Sequence, residues 1–202
     1  KYIQCDLPGD KVRMIRYGIR KMQALPLVPS ADGRIRFGYI GAFHAQKGLE
    51  LLVRAFEGLG DQASLHIHGS AFGSPITESY WQRVQQQAPP GIVFHGPYRN
   101  DQLEEILATV DVVVVPSIWF ENSPFTIQEA FVAGLPVITA NIGGMAELVR
   151  HGEDGLLFQI GDAVDLRRQL QVVIDQPALL AQFRRNLPAL PELDAQAELV
   201  RR

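Results

Sequence analysis

Residues 111–129 read DVVVVPSIWFENSPFTIQE. Four consecutive valines with no polar alternation suit a central strand covered by helices on both faces. Pro116 has no backbone N–H and marks the strand's exit. From Phe125 the apolar positions recur at helical spacing through "FTIQEAFVAG". The stretch therefore predicts a strand, a polar loop and a helix. Two glutamates frame the loop, Glu121 at the strand's mouth and Glu129 inside the helix, with seven residues between them. Taken alone, the pair has a plain reading as a helix N-terminal anion and a solvated side chain.

The same alternation continues outward in both directions. Upstream, "RIRFGYIG", "ASLHIHG" and "GIVFHG" read as strands, separated by helical patterns in "GLELLVRAFEGLG" and "TESYWQRVQQQA". "NDQLEEILATV" reads as a helix with Asn100 as its N-cap and Leu103, Ile106 and Leu107 on one face. Downstream come the strand "PVITA", a short helix near "MAELVR", the edge-like strand "GLLFQ" and the helix "AVDLRRQLQVVID". Strict alternation at this spacing predicts an α/β fold, a Rossmann-like parallel sheet with helices on both faces. Residues 34–187 are expected to form that domain. Residues 1–33 are read as a linker with a leading strand in "VRMIRYGI", and 188–202 as a tail or proline-punctuated helix. Such sheets bind ligands at the carboxyl ends of their strands. The chemistry is expected in the exit loops "GAFHAQKG", "HGSAFGSP", "HGPYRN", "PSIWFENSPF" and "NIGGMAE".

Composition narrows the function. The net charge of −3 argues against a dedicated nucleic-acid binder, which carries a positive surplus. The single cysteine, Cys5, allows no internal disulfide, and a cytoplasmic setting is expected. The longest apolar runs fall well short of the roughly 20 residues of a membrane-spanning helix. The chain opens on "KYIQCDLPGD" without an initiator methionine, which reads as a fragment of a longer protein.

Fixed motifs exclude several common occupants of such a sheet. A P-loop needs lysine after its last glycine, whereas Lys47 precedes Gly48. "GYIGAFHAQ" holds two glycines at the wrong spacing for a dinucleotide fingerprint. No G-x-S-x-G elbow occurs. What remains is Lys47 in one exit loop, two carboxylates around another, and helix starts at the same edge. Helix N-termini and a lysine suit phosphates, and carboxylates suit neutral hydroxyls. Together they suggest a nucleoside diphosphate carrying a sugar.

"YIGAFHAQKGLELLVRAF", "PSIWFENSPFTIQEAFVAGLPVIT" and "NIGGMAELVRHGEDGLLF" resemble the C-terminal half of family 4 (group 1) retaining glycosyltransferases of the GT-B fold. The resemblance spans roughly residues 12–186. It implies that Glu121 meets the donor sugar's hydroxyls and Glu129 the ribose. Backbone amides around Pro124 to Ile127 would approach the distal phosphate and the sugar; Pro124 has no N–H, so Phe125 and Thr126 are preferred as donors over Ile127, with the Thr126 hydroxyl as a further contact. Lys47 corresponds to the family's pyrophosphate-binding lysine, and Pro97 and Tyr98 would pass main chain against the nucleobase. Ala42 stands where the family often has arginine, and Tyr17 where asparagine is usual. The resemblance further implies a retaining, metal-independent transfer with no cofactor. The partners would be a nucleotide diphosphate sugar and a glycan or lipid-linked acceptor. An acceptor domain N-terminal to this half would be missing, leaving the fragment inactive alone.

Rival readings stand beside these. The fold could persist as a non-catalytic nucleotide-sugar-binding or scaffolding module, a reading that Ala42 favours; an epimerase fits "ENSPFTIQE" poorly. Gly143 and Gly144 read as tight-packing positions beside the site. His66, His68 and His95 could be pictured around a metal, although packing or edge roles fit alternating strand histidines better. Trp119 and Phe120 suit a core or interdomain role more than base stacking. The doublets Arg167–Arg168, Arg184–Arg185 and Arg201–Arg202 read as solvated helix faces. Their alternative is peripheral contact with acidic lipid at the inner face of the membrane.

Overall fold

Six short runs rich in β-branched and aromatic residues pair into one sheet. The computed structural model describes residues 18–71 and 75–190. Its strands are β1 (Ile35–Ile40), β2 (Ala63–His68), β3 (Ile92–Gly96), β4 (Val112–Val115), β5 (Val137–Ala140) and β6 (Gly155–Phe158). Between and after them run the helices α1 (Leu49–Ala55), α2 (Pro75–Gln86), α3 (Leu103–Ala108), α4 (Phe125–Val132), α5 (Gly143–Leu148), α6 (Ala163–Asp175) and α7 (Ala178–Arg185). Every strand pairing is parallel. The order is β3-β2-β1-β4-β5-β6, the doubly wound arrangement expected of a Rossmann-like fold. Residues Met22–Ala189 form one compact unit around this sheet.

The valine run takes the central place that its composition suggested. Val112, Val113 and Val114 are buried between β1 and β5, because helices cover both faces there. Phe37 of β1 meets Phe56 edge to face at 6.2 Å, and α1 buries five of its seven residues between the sheet and α6. The side chain of Asp162 caps α6 by accepting from the amides of Val164 and Asp165, which satisfies two donors the first turn leaves open. Leu166, Leu170 and Val173 then fall on its buried stripe.

Strand order reverses between β1 and β4. The chain winds outward from β1 through β2 to β3, then crosses back to β4 and winds the other way. Loops leaving β1 and β4 therefore diverge to opposite faces and open a crevice at their carboxyl ends. The exit loops of β1, β2 and β3 keep pairing beyond the strands. Gly41 donates to His68 O, Phe43 to Ser70 O and Gly69 to Gly96 O. Phe43 stacks on Trp81 at 4.3 Å, and Trp81 meets Phe94 edge-on at 4.9 Å. The β1 exit is thereby fixed to α2 and β3.

Several expectations change. Asn100 is not the cap of α3, since a short 3₁₀ turn over Asn100–Gln102 precedes it. The Gln102 side chain is long enough to fold back, and its Oε1 accepts from the Arg99 amide at 2.9 Å. Leu103, Ile106 and Leu107 are buried as their spacing predicted. The doublet Arg184–Arg185, read as a helix face, ends the helix α7, which starts after Pro177 as N-cap and is anchored by Leu180 and Phe183. Arg184 is no solvated doublet member. Its guanidinium donates to Asp111 O at 3.2 Å, and burial lowers its pKa. The leading strand expected at 12–19 (Gly18 and Ile19 apart), Tyr17, residues 72–74 of one exit loop and the tail from 191 lie outside the described residues. No helix among the described residues is long and apolar enough to cross a membrane.

Candidate functional site

The crevice between β1 and β4 holds a cavity of about 250 Å³ lined by Tyr39, Ala42, Lys47, Ser117, Glu121 and Thr126, among others. A second, of about 260 Å³, abuts it across Gly41 and Ala42 and reaches Gly69, Ser70, Pro97, Tyr98 and Asn100. The exits of β1, β2, β3 and β4 thus frame one continuous groove.

Lys47 and Glu121 meet in the first cavity, 74 positions apart in sequence, with Nζ 2.7 Å from Oε1. Ser117, only 1% exposed, lies beneath them. Its Oγ is 3.1 Å from the same Glu121 Oε1 and 3.0 Å from Gln46 O. Backbone contacts hold the two loops together. Ile118 donates to Gln46 O at 2.9 Å, and a Cβ on Gly48, whose φ is +71°, would stand 1.9 Å from Pro116 O. Only glycine lets the lysine loop lie this close to the β4 exit. From the other side, Gly144 donates to Glu121 O at 2.9 Å. A Cβ there would stand 1.9 Å from Asn122 O, so the glycine pair packs against the Glu121 loop.

The floor is made by Tyr39. Burial pushes its phenol far above the usual range, so it stays a neutral donor, and its hydroxyl donates to Ala42 O at 2.9 Å. Ala42 therefore presents backbone and a methyl group to both cavities, where an arginine would have presented charge.

The helix α4 begins beside Glu121. Thr126 lines the first cavity, and Phe125 is exposed. Ile127 does not face the groove. Its side chain is fully buried, and its amide donates to Pro124 O at 3.2 Å, leaving Phe125 and Thr126 as the amides at the helix start. Glu129 is half-buried one turn on. Burial and the Glu129 carboxylate raise the pKa of Tyr98, which places that carboxylate within electrostatic reach of the second cavity. Trp119 and Phe120 are exposed with Ile118 beside the first cavity's mouth, so a core role falls away.

Three contributors went unnoticed in the sequence. Ser117 acts through a contact to Gln46 O, 71 positions away, and Tyr39 through one to Ala42 O in its own exit loop. Ser70 Oγ is buried in the second cavity's wall with no hydrogen-bond partner among the described residues.

The histidines cluster behind this groove without converging on a common point. His66 Nδ1 and His95 Nε2 are 2.9 Å apart, and His66 Nε2 is 3.0 Å from Ser64 Oγ. His68 stacks on His95 at 4.2 Å. Among the described residues no group of three ligating side chains is spaced to hold a metal. Burial, then His95 and His66, hold His68 down to about 4. Burial also lowers His66, with His95, Arg36 and Arg34 adding to the effect and Asp111 opposing it. A histidine depressed in the folded state takes up its proton more readily when unfolded. Stability is therefore full above about pH 6.5 and falls as pH drops towards 4. Thermal melts across that window should show a lower midpoint in acid, and His68→Gln should shrink the drop. An equal drop in the variant would clear His68 of the effect.

Known proteins resemble this chain in sequence or fold. An uncharacterized glycosyltransferase of Methanocaldococcus jannaschii is 30% identical over 166 residues, covering 74% of this chain and 41% of that protein. Sucrose-phosphate synthase from Thermosynechococcus elongatus is 26% identical with a TM-score of 0.75, over 93% of this chain and 50% of that one. Anabaena HepE, solved in complex with UDP and glucose, shares the fold with a TM-score of 0.83 at 22% identity, over 99% of this chain and 58% of that one. The chain thus spans about half the length of its relatives. Residues 34–176 match the family described as glycosyl transferases group 1. With a match over well more than half its length, the chain belongs to the group 1 glycosyltransferases.

Proposed function

We propose that residues 34–187 are the donor-binding domain of a retaining glycosyltransferase of the GT-B type. The whole enzyme would move a sugar from a nucleotide diphosphate sugar to a glycan or lipid-linked acceptor. Residues 1–33 would lead in from the acceptor domain, and 188–202 would form the tail; without that first domain the chain binds donor but does not transfer sugar. The observation that carries this reading is the Lys47–Glu121 pair at the strand-order reversal, beside the Tyr98 cavity. HepE, a structural relative solved with UDP and glucose, supports a nucleotide sugar as the ligand class.

In this reading the base rests by Pro97 and Tyr98 and the ribose by Glu129. The diphosphate crosses Gly41 and Ala42 towards Lys47 and the Phe125 and Thr126 amides. The partial positive charge of the α4 start favours phosphate there. Lys47 neutralises the charge that grows on the leaving diphosphate as the glycosidic bond breaks. Both described contacts of the Glu121 carboxylate fall on Oε1, which leaves Oε2 to accept from sugar hydroxyls. Retention follows if the acceptor attacks from the face the phosphate leaves, its proton passing to a phosphate oxygen. No step requires a metal, because Lys47 and the helix start supply the positive charge. The setting would be cytoplasmic, or the inner face of the membrane for a lipid-linked acceptor.

A second reading, a binding module without transfer chemistry, draws on Ala42. The methyl group it places between the cavities supplies no charge to the diphosphate.

Calorimetry of the chain with UDP, GDP, ADP and their glucose conjugates tests the donor site. One base series should bind, the sugar form more tightly. Glu121→Ala should lose about tenfold on the sugar form, as expected for one hydrogen bond to a charged group, and nothing on the diphosphate. No binding of any series at millimolar concentration would sink both readings.

A further inference from the structure

The Ser117 hydroxyl sits where three contacts cross, and only one of them can use its proton. A hydroxyl has a single hydrogen to donate and two lone pairs that accept. Ser117 Oγ lies 3.0 Å from Gln46 O and 3.1 Å from Glu121 Oε1. It can donate to one of these at a time. Gln46 O already accepts from the Ile118 amide at 2.9 Å, so it does not depend on the serine. The Trp119 amide approaches Ser117 Oγ at 3.4 Å as a donor, which orients the oxygen to accept from the backbone and donate elsewhere. The acceptor with the stronger pull is the carboxylate.

Lys47 competes for that same carboxylate oxygen. Its Nζ is 2.7 Å from Glu121 Oε1, yet the side chain is 42% exposed while that of Glu121 is 19% exposed. A long, partly exposed lysine can leave for a second anion. Ser117, fixed in the backbone at the β4 exit and 1% exposed, cannot.

Resting on the donor-site reading above, we propose that Ser117 is the positioning residue for Glu121. It holds Oε1 when an arriving diphosphate draws Lys47 away, so that Oε2 stays aimed at the sugar hydroxyls. The hydroxyl keeps its proton and its hydrogen bond to Glu121 Oε1 as Lys47 departs. The carboxylate is thereby never left without a donor, a loss that is costly in a partly buried site. Ser117 touches neither sugar nor phosphate. Its effect appears only in the part of the affinity that Glu121 supplies.

The test uses this chain with the diphosphate and the sugar diphosphate of whichever base series it binds, by calorimetry. Ser117→Ala should weaken the sugar form about tenfold and leave the diphosphate within about twofold. Ser117→Thr, which keeps the hydroxyl, should restore the sugar form to within about threefold of the parent. In a Glu121→Gln background, Ser117→Ala should cost the sugar form nothing more. Equal losses on both ligands would show a merely structural role for the serine and overturn the proposal. So would an undiminished preference for the sugar form. Should Ser117→Ala fail to fold, Ser117→Thr paired with Ser117→Cys carries the comparison. A cysteine variant that binds the sugar form as well as threonine does would overturn the proposal, because a thiol is a weak donor. A parent chain that binds no diphosphate would instead remove the donor-site reading itself, and an unmutated protein reveals that first.

Discussion

Lys47→Ala should lower the affinity of the chain for a nucleoside diphosphate by roughly 10- to 100-fold, and leave its affinity for the bare nucleoside unchanged. That range corresponds to about 1.5–3 kcal/mol for a hydrogen bond to a charged group. Among the described residues lining the first cavity, Lys47 supplies the only full positive charge, and Ala42 offers none to substitute for it. The variant also removes one of the two described partners of Glu121 Oε1 and leaves Ser117 as the other. The ammonium is partly exposed, which brings ionic screening into play. The loss should therefore approach the tenfold end at physiological salt and grow as salt is lowered. Titrations with the diphosphate and the nucleoside at two salt concentrations check this. Equal losses for the two ligands would take Lys47 out of the phosphate site.

Gly48→Ala should have the largest effect on the fold near the site. Its φ of +71° strains any residue with a Cβ, and the added atom would overlap Pro116 O at 1.9 Å. Backbone strain of about 1–3 kcal/mol and overpacking of a similar size add to roughly 2–6 kcal/mol. For a domain of this size that lowers the thermal midpoint by roughly 4–24 °C. The only relief is for the lysine loop to leave the β4 exit, which breaks the Ile118 and Ser117 contacts to Gln46 O. Diphosphate binding should weaken along with stability. Gly134→Ala is the control, because φ is +80° there but nothing lies within 4 Å of the added carbon. It should show the strain without the overlap. Equal melting points for the two variants would mean that the two loops are not packed as described.

These two residues show where the sequence was informative. The valine run at 112–115, unbroken by polar residues, gave the central strand, and alternation gave the rest of the parallel sheet. Lys47, Glu121 and Thr126 were read as site residues from two exit loops and the helix start that follows one of them, and the fold puts all three around one cavity. Ser117, Tyr39 and the tight contacts at Gly48 and Gly144 were not. Gln46 and Ser117 are 71 positions apart, and nothing local in "PSIWF" says that its serine will lie beneath a glutamate and a distant carbonyl. Ile127 shows the reverse limit. Its position in the motif suggested an amide facing the ligand, whereas helical geometry uses that amide internally.

The site itself is tested most directly by following the backbone amides of the ¹⁵N-labelled chain during titration with UDP-glucose, then with the GDP and ADP conjugates. For the conjugate that binds, shifts should concentrate at Gly41 to Gly48, Gly69 and Ser70, Tyr98, and Ser117 to Glu129, and follow one binding curve. Unchanged spectra with all three conjugates at millimolar concentration, or shifts confined to the far edge around β6 and α6, would contradict a nucleotide-sugar site between β1 and β4.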